Sequence, residues 1–279
     1  MKKTDFDLED NEIRIVGENP GPHGNSRKWV YVLIAVVAAA LAGIVVFNKV
    51  YSSGTPEEQS LPVSEILPGN EGCIIRDTVI SDIALKLFIP SGTPSLYVGR
   101  LLPEYDTNIV FAAEAAYYRK DNNQISGAFI LEGEQLARGC SMLGYCAIIH
   151  GEIYLGQAKS TSLFEEAVEE EGYFFRQKPL VDSCRAVHEQ NNRRNPSIKV
   201  PRNAIVKLDN RSVVVGCETP VTRNDFADVL VRLGCQQAVS LSGRDNFGFA
   251  RDTADNIHYW GQIPEKNVPE NINYIIWKK

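Results

Sequence analysis

Few of the signatures that mark an enzyme at sight occur in this chain. It contains no H-E-x-x-H, no G-x-S-x-G and no glycine-rich phosphate loop, so zincin, hydrolase-elbow and nucleotide-binding readings lack support. No C-x-x-C occurs, and the C-x5-C of Cys140 and Cys146 is not a usual zinc spacing. His150, His188 and His258 show no spacing that marks a metal cluster and read as local hydrogen-bonding residues, with His188 placed in a polar loop where it would close over a substrate. An excess of basic charge is also missing. The formal net charge of −6 argues against nucleic acid as a partner, since phosphate-binding proteins usually carry a basic face. No repeat with a period of tens of residues is apparent, which excludes solenoids and propellers.

What is present is a chain of 279 residues, 44% hydrophobic and 23% charged, a globular composition with room for one large domain. Residues 29–47 form an uninterrupted run of apolar residues and glycine. At about 1.5 Å rise per residue, a helix of that length crosses a hydrocarbon core of about 30 Å. Arg27 and Lys28 abut its amino end, with Lys2, Lys3 and Arg14 further out, and the positive-inside rule then keeps residues 1–28 in the cytoplasm and places the bulk of the chain in the periplasm or outside the cell. Ala40-Leu41-Ala42 offers the alternative of a cleaved signal peptide. The expected organisation is a cytoplasmic tail (1–28), a membrane helix (29–47), a Ser/Pro-containing linker (48–70) and an ectodomain (71–279). All six cysteines fall in the last segment, either as one or two disulfides or as buried thiols acting as small hydrophobes.

The most ordered pattern lies between Pro201 and Phe249. Ala204 to Leu208 and Ser212 to Gly216 are β-rich runs separated by Asp209-Asn210-Arg211, a turn cluster that suits a hairpin. Thr222 followed by Asp225 resembles a capping box. Phe226, Val229, Leu230 and Leu233 recur on one helical face before Gly234, which predicts a helix over 222–233. Gln237 to Leu241 reads as a strand that delivers Ser242-Gly243-Arg244-Asp245-Asn246 at its carboxyl end, where loops commonly carry function. Further strands are predicted over 79–89, 95–101, 108–113, 127–131 and 147–155, and a short acidic helix over 163–171 capped by Ser162. With no regular βαβ alternation, the expected fold class is α+β: a mixed β-sheet ectodomain with packed helices, preceded by a single transmembrane helix.

In the order of its motifs the chain resembles the phosphodiester glycosidases, as a divergent member. Arg202-Asn203-Ala204-Ile205-Val206 is similar to the family's Arg-Thr-Ala-Ile-Gly segment, Leu233-Gly234 to its helix end, and Leu241 to Asn246 to its Leu-Asp-Gly-Gly-Gly-Ser loop. Upstream, Phe111 to Tyr118 resembles Ala-Ile-Asn-Gly-Gly-Tyr-Phe, and Phe175 to Val181 resembles Gln-x-x-Pro-x-Leu-Val. Ser242 stands where the family has Asp, Arg244 and Asp245 where it has glycines, and Glu114 where it has Asn. The resemblance implies hydrolysis of a sugar-1-phosphodiester of a surface or exported glycan, without a cofactor. Asp245 and Glu114 would be catalytic, as nucleophile, base or support for an oxocarbenium-like transition state. Arg202 and Arg244 would grip the phosphate, and Ser242, Gly243 and Asn246 would complete the substrate site. The readings that stand beside it are a binding protein of the same fold without catalysis and a structural subunit of an envelope assembly. Arg244-Asp245 also reads as a solvated turn pair, and Glu114, set in an apolar run, as half of a structural ion pair.

Overall fold

The computed structural model describes residues 71–119, 121–189, 198–242, 246–264 and 269–279. The strands are β1 (Cys73–Ile80), β2 (Ile83–Pro90), β3 (Thr93–Val98), β4 (Ile109–Glu114), β5 (Phe129–Leu131), β6 (Glu134–Ala137), β7 (Gly144–Ile149) and β8 (Glu152–Gln157). Helix α1 (Ser162–Glu169) leads into β9 (Tyr173–Gln177), β10 (Pro179–Asp182), β11 (Arg185–Ala186), β12 (Val200–Leu208) and β13 (Arg211–Val221). Helix α2 (Arg223–Arg232) is followed by β14 (Gln237–Ser240), β15 (Gly248–Arg251), β16 (Ile257–Trp260) and β17 (Asn273–Lys278). They form three sheets: a first of order β1-β2-β13-β12-β14-β10-β11, a second of order β16-β15-β4-β17-β3 and a third of order β6-β5-β9-β7-β8.

This corrects the α+β expectation. The fold is mostly β, its only two helices among the described residues are short, and the strand pairings within all three sheets are antiparallel rather than mixed. The physical reason is the turns. Ser81-Asp82, Glu132-Gly133, His150-Gly151, Ser183-Cys184 and Asp209-Asn210 each place two consecutive residues at positive φ between paired strands. That is the requirement of a two-residue I′ hairpin, a connection open only to antiparallel neighbours. The runs 79–89 and 147–155, expected as single strands, are therefore each a hairpin. No helix among the described residues is long and apolar enough to cross a membrane. The predicted tail, membrane run and linker, residues 1–70, lie outside the described residues.

Helix α2 follows its sequence closely. Thr222 Oγ1 accepts from Asp225 N at 3.0 Å while Asp225 Oδ2 accepts from Thr222 N at 3.3 Å, a reciprocal capping box. At the other end Gly234 has φ +94°, Gly234 N donates to Val231 O and Cys235 N to Leu230 O, the two bonds of a Schellman motif. Phe226, Val229 and Leu230 are buried against the outer face of the first sheet, on Ala204, Val206 and Val215. α1, capped by Thr161 rather than Ser162, covers the third sheet in the same way through Ala167. The central core lies where the three sheets meet, with Phe88 and Ile205 from the first, Phe111 and Ile275 from the second, and Phe129 and Phe175 from the third. All six cysteines are free. Four are buried, and burial pushes the Cys73 and Cys235 thiols up to about 12, which leaves them as inert apolar side chains.

Candidate functional site

A cleft of about 490 Å³ lies between the first sheet and β16. Strand alternation builds its first wall. Asn203 and Ile205 of β12 share one face, as do Val214 and Gly216 of β13 and Lys86 and Phe88 of β2; where the apolar members enter the central core, Lys86, Asn203 and Gly216 are left at its open end. Gly216 keeps this wall shallow, because a Cβ there would lie 3.1 Å from Asn203 Oδ1 and 3.5 Å from Phe88 Cε2. His258 of β16 stands on the opposite wall, with Trp260 two residues on along the same strand, and Asn246, Gly261 and Glu218 contribute to the lining.

Trp260 is the floor. Its ring lies 4.7 Å from Phe88 and 5.6 Å from Phe111, centroid to centroid, so it joins the cleft to the central core. It can lie flat only because its cross-strand partner is Gly248, and a Cβ at that position would fall inside the indole. Gly248→Ala is therefore expected to push Trp260 into the cleft, at a cost of about 1–3 kcal/mol. A shift in the tryptophan emission maximum together with a lower urea midpoint would report it; unchanged emission and stability would rule out the packing described. The indole Nε1 is buried and has no hydrogen-bond partner among the described residues.

The β15–β16 turn adds a carboxylate–imidazole pair. Asp252 Oδ1 accepts from the backbone amides of Ala254 at 2.9 Å and Asn256 at 2.8 Å, and Asp252 Oδ2 accepts from Asn256 Nδ2 at 3.0 Å and lies 2.9 Å from His258 Nε2. These partners, His258 first, then Asn256, hold the Asp252 carboxyl far below the usual carboxylate range, so it stays ionised. The turn is pinned to β1 through a bridge between Cys73 and Asp252, and Gly72, at φ +139°, is the residue that lets the chain approach so closely. Lys86, on the opposite wall, also reaches Asp77 at 2.8 Å.

The residues singled out from sequence fall in several places. Asn246 lines the cleft. Glu114 ends β4 and is buried; its Oε1 accepts from Phe247 N at 3.2 Å, and it lies opposite Tyr274 on the face of the second sheet that also carries Ala112. Phe111 and Ala113, on the other face of β4, look toward the core and Trp260. Burial, reinforced by the Glu114 charge, pushes both the Tyr274 and Tyr118 hydroxyls up. Ser242 is buried at the same strand end, its N donating to Ala115 O at 2.9 Å. The structure thus gathers Glu114, Ser242 and Phe247 around the end of β4, with Asn246 continuing from them into the cleft. Gly243, Arg244 and Asp245 lie outside the described residues.

Arg202 sits apart from these. Alternation turns it to the α2 side of the first sheet while its neighbour Asn203 faces the cleft. There Nε donates to Val221 O at 2.9 Å and Nη2 to Ile198 O at 2.8 Å, and burial, with Arg223 nearby, draws the guanidinium below its ordinary value. Glu189 completes this cluster. Burial works against its ionisation, but Lys178 at 2.7 Å and an ion pair with Arg223 outweigh it and hold the carboxyl low. Lys86, Glu218, His258 and Trp260, by contrast, line the cleft without having been singled out as site residues. The one local signal was the i, i+2 spacing of His258 and Trp260 in Ile-His-Tyr-Trp, which puts both on one strand face.

No protein-family model matches the chain, and no curated protein matches its sequence. Among solved structures, the fold is similar to the zebrafish N-acetylglucosamine-1-phosphodiester alpha-N-acetylglucosaminidase catalytic domain auto-inhibited by its pro-peptide, with 12% identity, a TM-score of 0.53, and coverage of 74% of this chain and 81% of that one. A hypothetical protein from Synechocystis aligns with 12% identity and a TM-score of 0.47, over 74% of this chain and 62% of its own. The first likeness establishes a distant relationship of fold to a hydrolase catalytic domain.

Proposed function

We propose that the protein acts on a sugar-1-phosphodiester in the cleft between the first sheet and β16, as a divergent phosphodiester glycosidase. The observation that carries this reading is the composition of the cleft: an aromatic floor of Trp260 on Phe88, the side-chain amides of Asn203 and Asn246, and the ammonium of Lys86. A pyranose offers an apolar face to stack, hydroxyls to hydrogen-bond, and here an anionic phosphodiester to pair with a cation. The fold likeness to a phosphodiester glycosidase domain supports the same substrate class. Asp245 and Arg244 precede Asn246 directly in the chain, and in this reading they supply the carboxylate and second cation that the resemblance implies, with Ser242 and Gly243 on the same loop.

A second reading, a binding protein of this fold without turnover, is favoured by the engagement of two assigned residues elsewhere: Glu114 accepts the Phe247 amide and Arg202 caps backbone carbonyls. Incubation of the full chain with a panel of sugar-1-phosphodiesters separates the two. Release of free sugar supports the hydrolase; saturable quenching of tryptophan fluorescence without release supports the binder; neither would overturn the assignment of the cleft. Lys86→Ala is expected to weaken phosphodiester binding about tenfold to a hundredfold, the equivalent of one charge-assisted hydrogen bond of about 1.5–3 kcal/mol. A neutral methyl glycoside should bind the wild type and this variant alike.

A further inference from the structure

Resting on the hydrolase reading above, we infer that His258 is the general base of the cleft and that Asp252 positions it. The geometry is that of a carboxylate–imidazole pair at the wall of a cavity. Asp252 can only accept when ionised, so the ring nitrogen 2.9 Å away, Nε2, carries a hydrogen. The neutral imidazole then presents an unprotonated Nδ1, which has no partner among the described residues, on the strand face shared with Trp260. Asp252 is itself immobilised by two backbone amides and Asn256, so the tautomer and the ring plane are set before any ligand arrives. The other titratable or charged groups of the cleft are Lys86 from β2, Cys217 and Glu218 from β13, and Tyr259 beside His258 on β16.

In the step assigned to this pair, a water oxygen forms a bond to the anomeric carbon of the sugar while the bond from that carbon to the phosphate oxygen breaks. The bonding pair leaves on the phosphate, which departs as a monoester dianion and needs no proton. The water's proton passes to His258 Nδ1, the ionised Asp252 stabilises the resulting imidazolium, and the half-exposed ring returns the proton to solvent. Lys86, on the facing wall of the cleft, offsets the charge that grows on the phosphate.

The test is a set of pH–rate profiles of the full chain on the methyl phosphodiester of N-acetylglucosamine-1-phosphate. His258→Gln should lose about 10²–10⁴-fold in kcat with KM nearly unchanged, and the acid limb of the wild-type profile should vanish. Added imidazole should restore part of the activity of His258→Ala, which a structural role would not allow. Asp252→Asn should fall between the wild type and His258→Gln, and His150→Gln, at a histidine paired with Glu170 outside the cleft, should keep the wild-type profile. A wild type that turns over while His258→Gln keeps its kcat and acid limb removes the base assignment alone. Loss of the acid limb in Glu218→Gln would transfer the role to Glu218. A wild type that releases no sugar from this ester removes the hydrolase reading and the base with it.

Discussion

Replacing Phe111 with alanine is expected to cost about 3–5 kcal/mol of unfolding free energy, a large share of the about 5–15 kcal/mol that a domain usually has. Phe111 is fully buried on β4 and its ring meets three other aromatic side chains: Phe88 at 5.5 Å, Trp260 at 5.6 Å and Trp277 at 5.5 Å, the last edge-on at 83°. Phe88 belongs to the first sheet and both tryptophans to the second, so the deletion opens a cavity at a junction between sheets, where rigid walls cannot collapse to fill it. Aromatic pairs of this kind add about 0.5–1.5 kcal/mol each beyond the area they bury. Urea denaturation followed by tryptophan fluorescence gives the number directly. Phe111→Leu should recover more than half of the loss. The same variants should weaken ligand binding, because the floor of the cleft rests on this ring. A cost below about 1 kcal/mol for Phe111→Ala would mean that the sheets do not meet there.

Arg176→Met is expected to cost about 2–5 kcal/mol, by leaving part-buried carbonyls of two segments without their donor. Arg176 is only 4% exposed. Its Nη1 donates to Ala158 O at 2.7 Å, Met142 O at 3.2 Å and Leu143 O at 3.4 Å, and its Nη2 to Lys159 O at 3.0 Å. One guanidinium thereby ties the loop before β7 to the segment before α1, and the fork geometry of arginine is what reaches both. Arg176→Lys should recover only part of the stability, since a single ammonium cannot span the two segments. Hydrogen exchange should show faster opening of residues 140–144 and 158–162 in both variants, with α2 unaffected. Uniform loss of protection across the chain would instead mean that Arg176 supports the whole fold.

Much of the local structure could be read from sequence where a side chain itself closes the local hydrogen bonds. Thr222, Asp225 and Gly234 cap α2 at its two ends, and Phe226, Val229 and Leu230 declare its buried face. The hairpin at Asp209-Asn210 was legible because Asp and Asn tolerate positive φ. The turns at Ser81-Asp82 and His150-Gly151 were not, because each is only two residues long and the β-rich runs 79–89 and 147–155 read straight through them. Missing those hairpins is what made an antiparallel, mostly β fold read as α+β with a mixed sheet.

The candidate site was less legible than the elements that carry it. Arg202 and Asn203 are adjacent, and nothing local decides which of them faces ligand; the pairing of β12 with β13 and the packing of α2 on one side do. Lys86 and His258 lie far apart in sequence, on strands that do not pair, and they come to line one cleft only when the first sheet packs against the second around Phe88, Phe111 and Trp260. The chain by itself determined its caps, its helix face and its most polar hairpin, because each depends on residues within one or two turns of one another. Only tertiary structure decided which strand faces share a core, where the aromatic floor lies and which polar groups stand over it. Those depend on burying apolar surface between distant segments, and a strand's period of two leaves either of its faces available until a partner covers one.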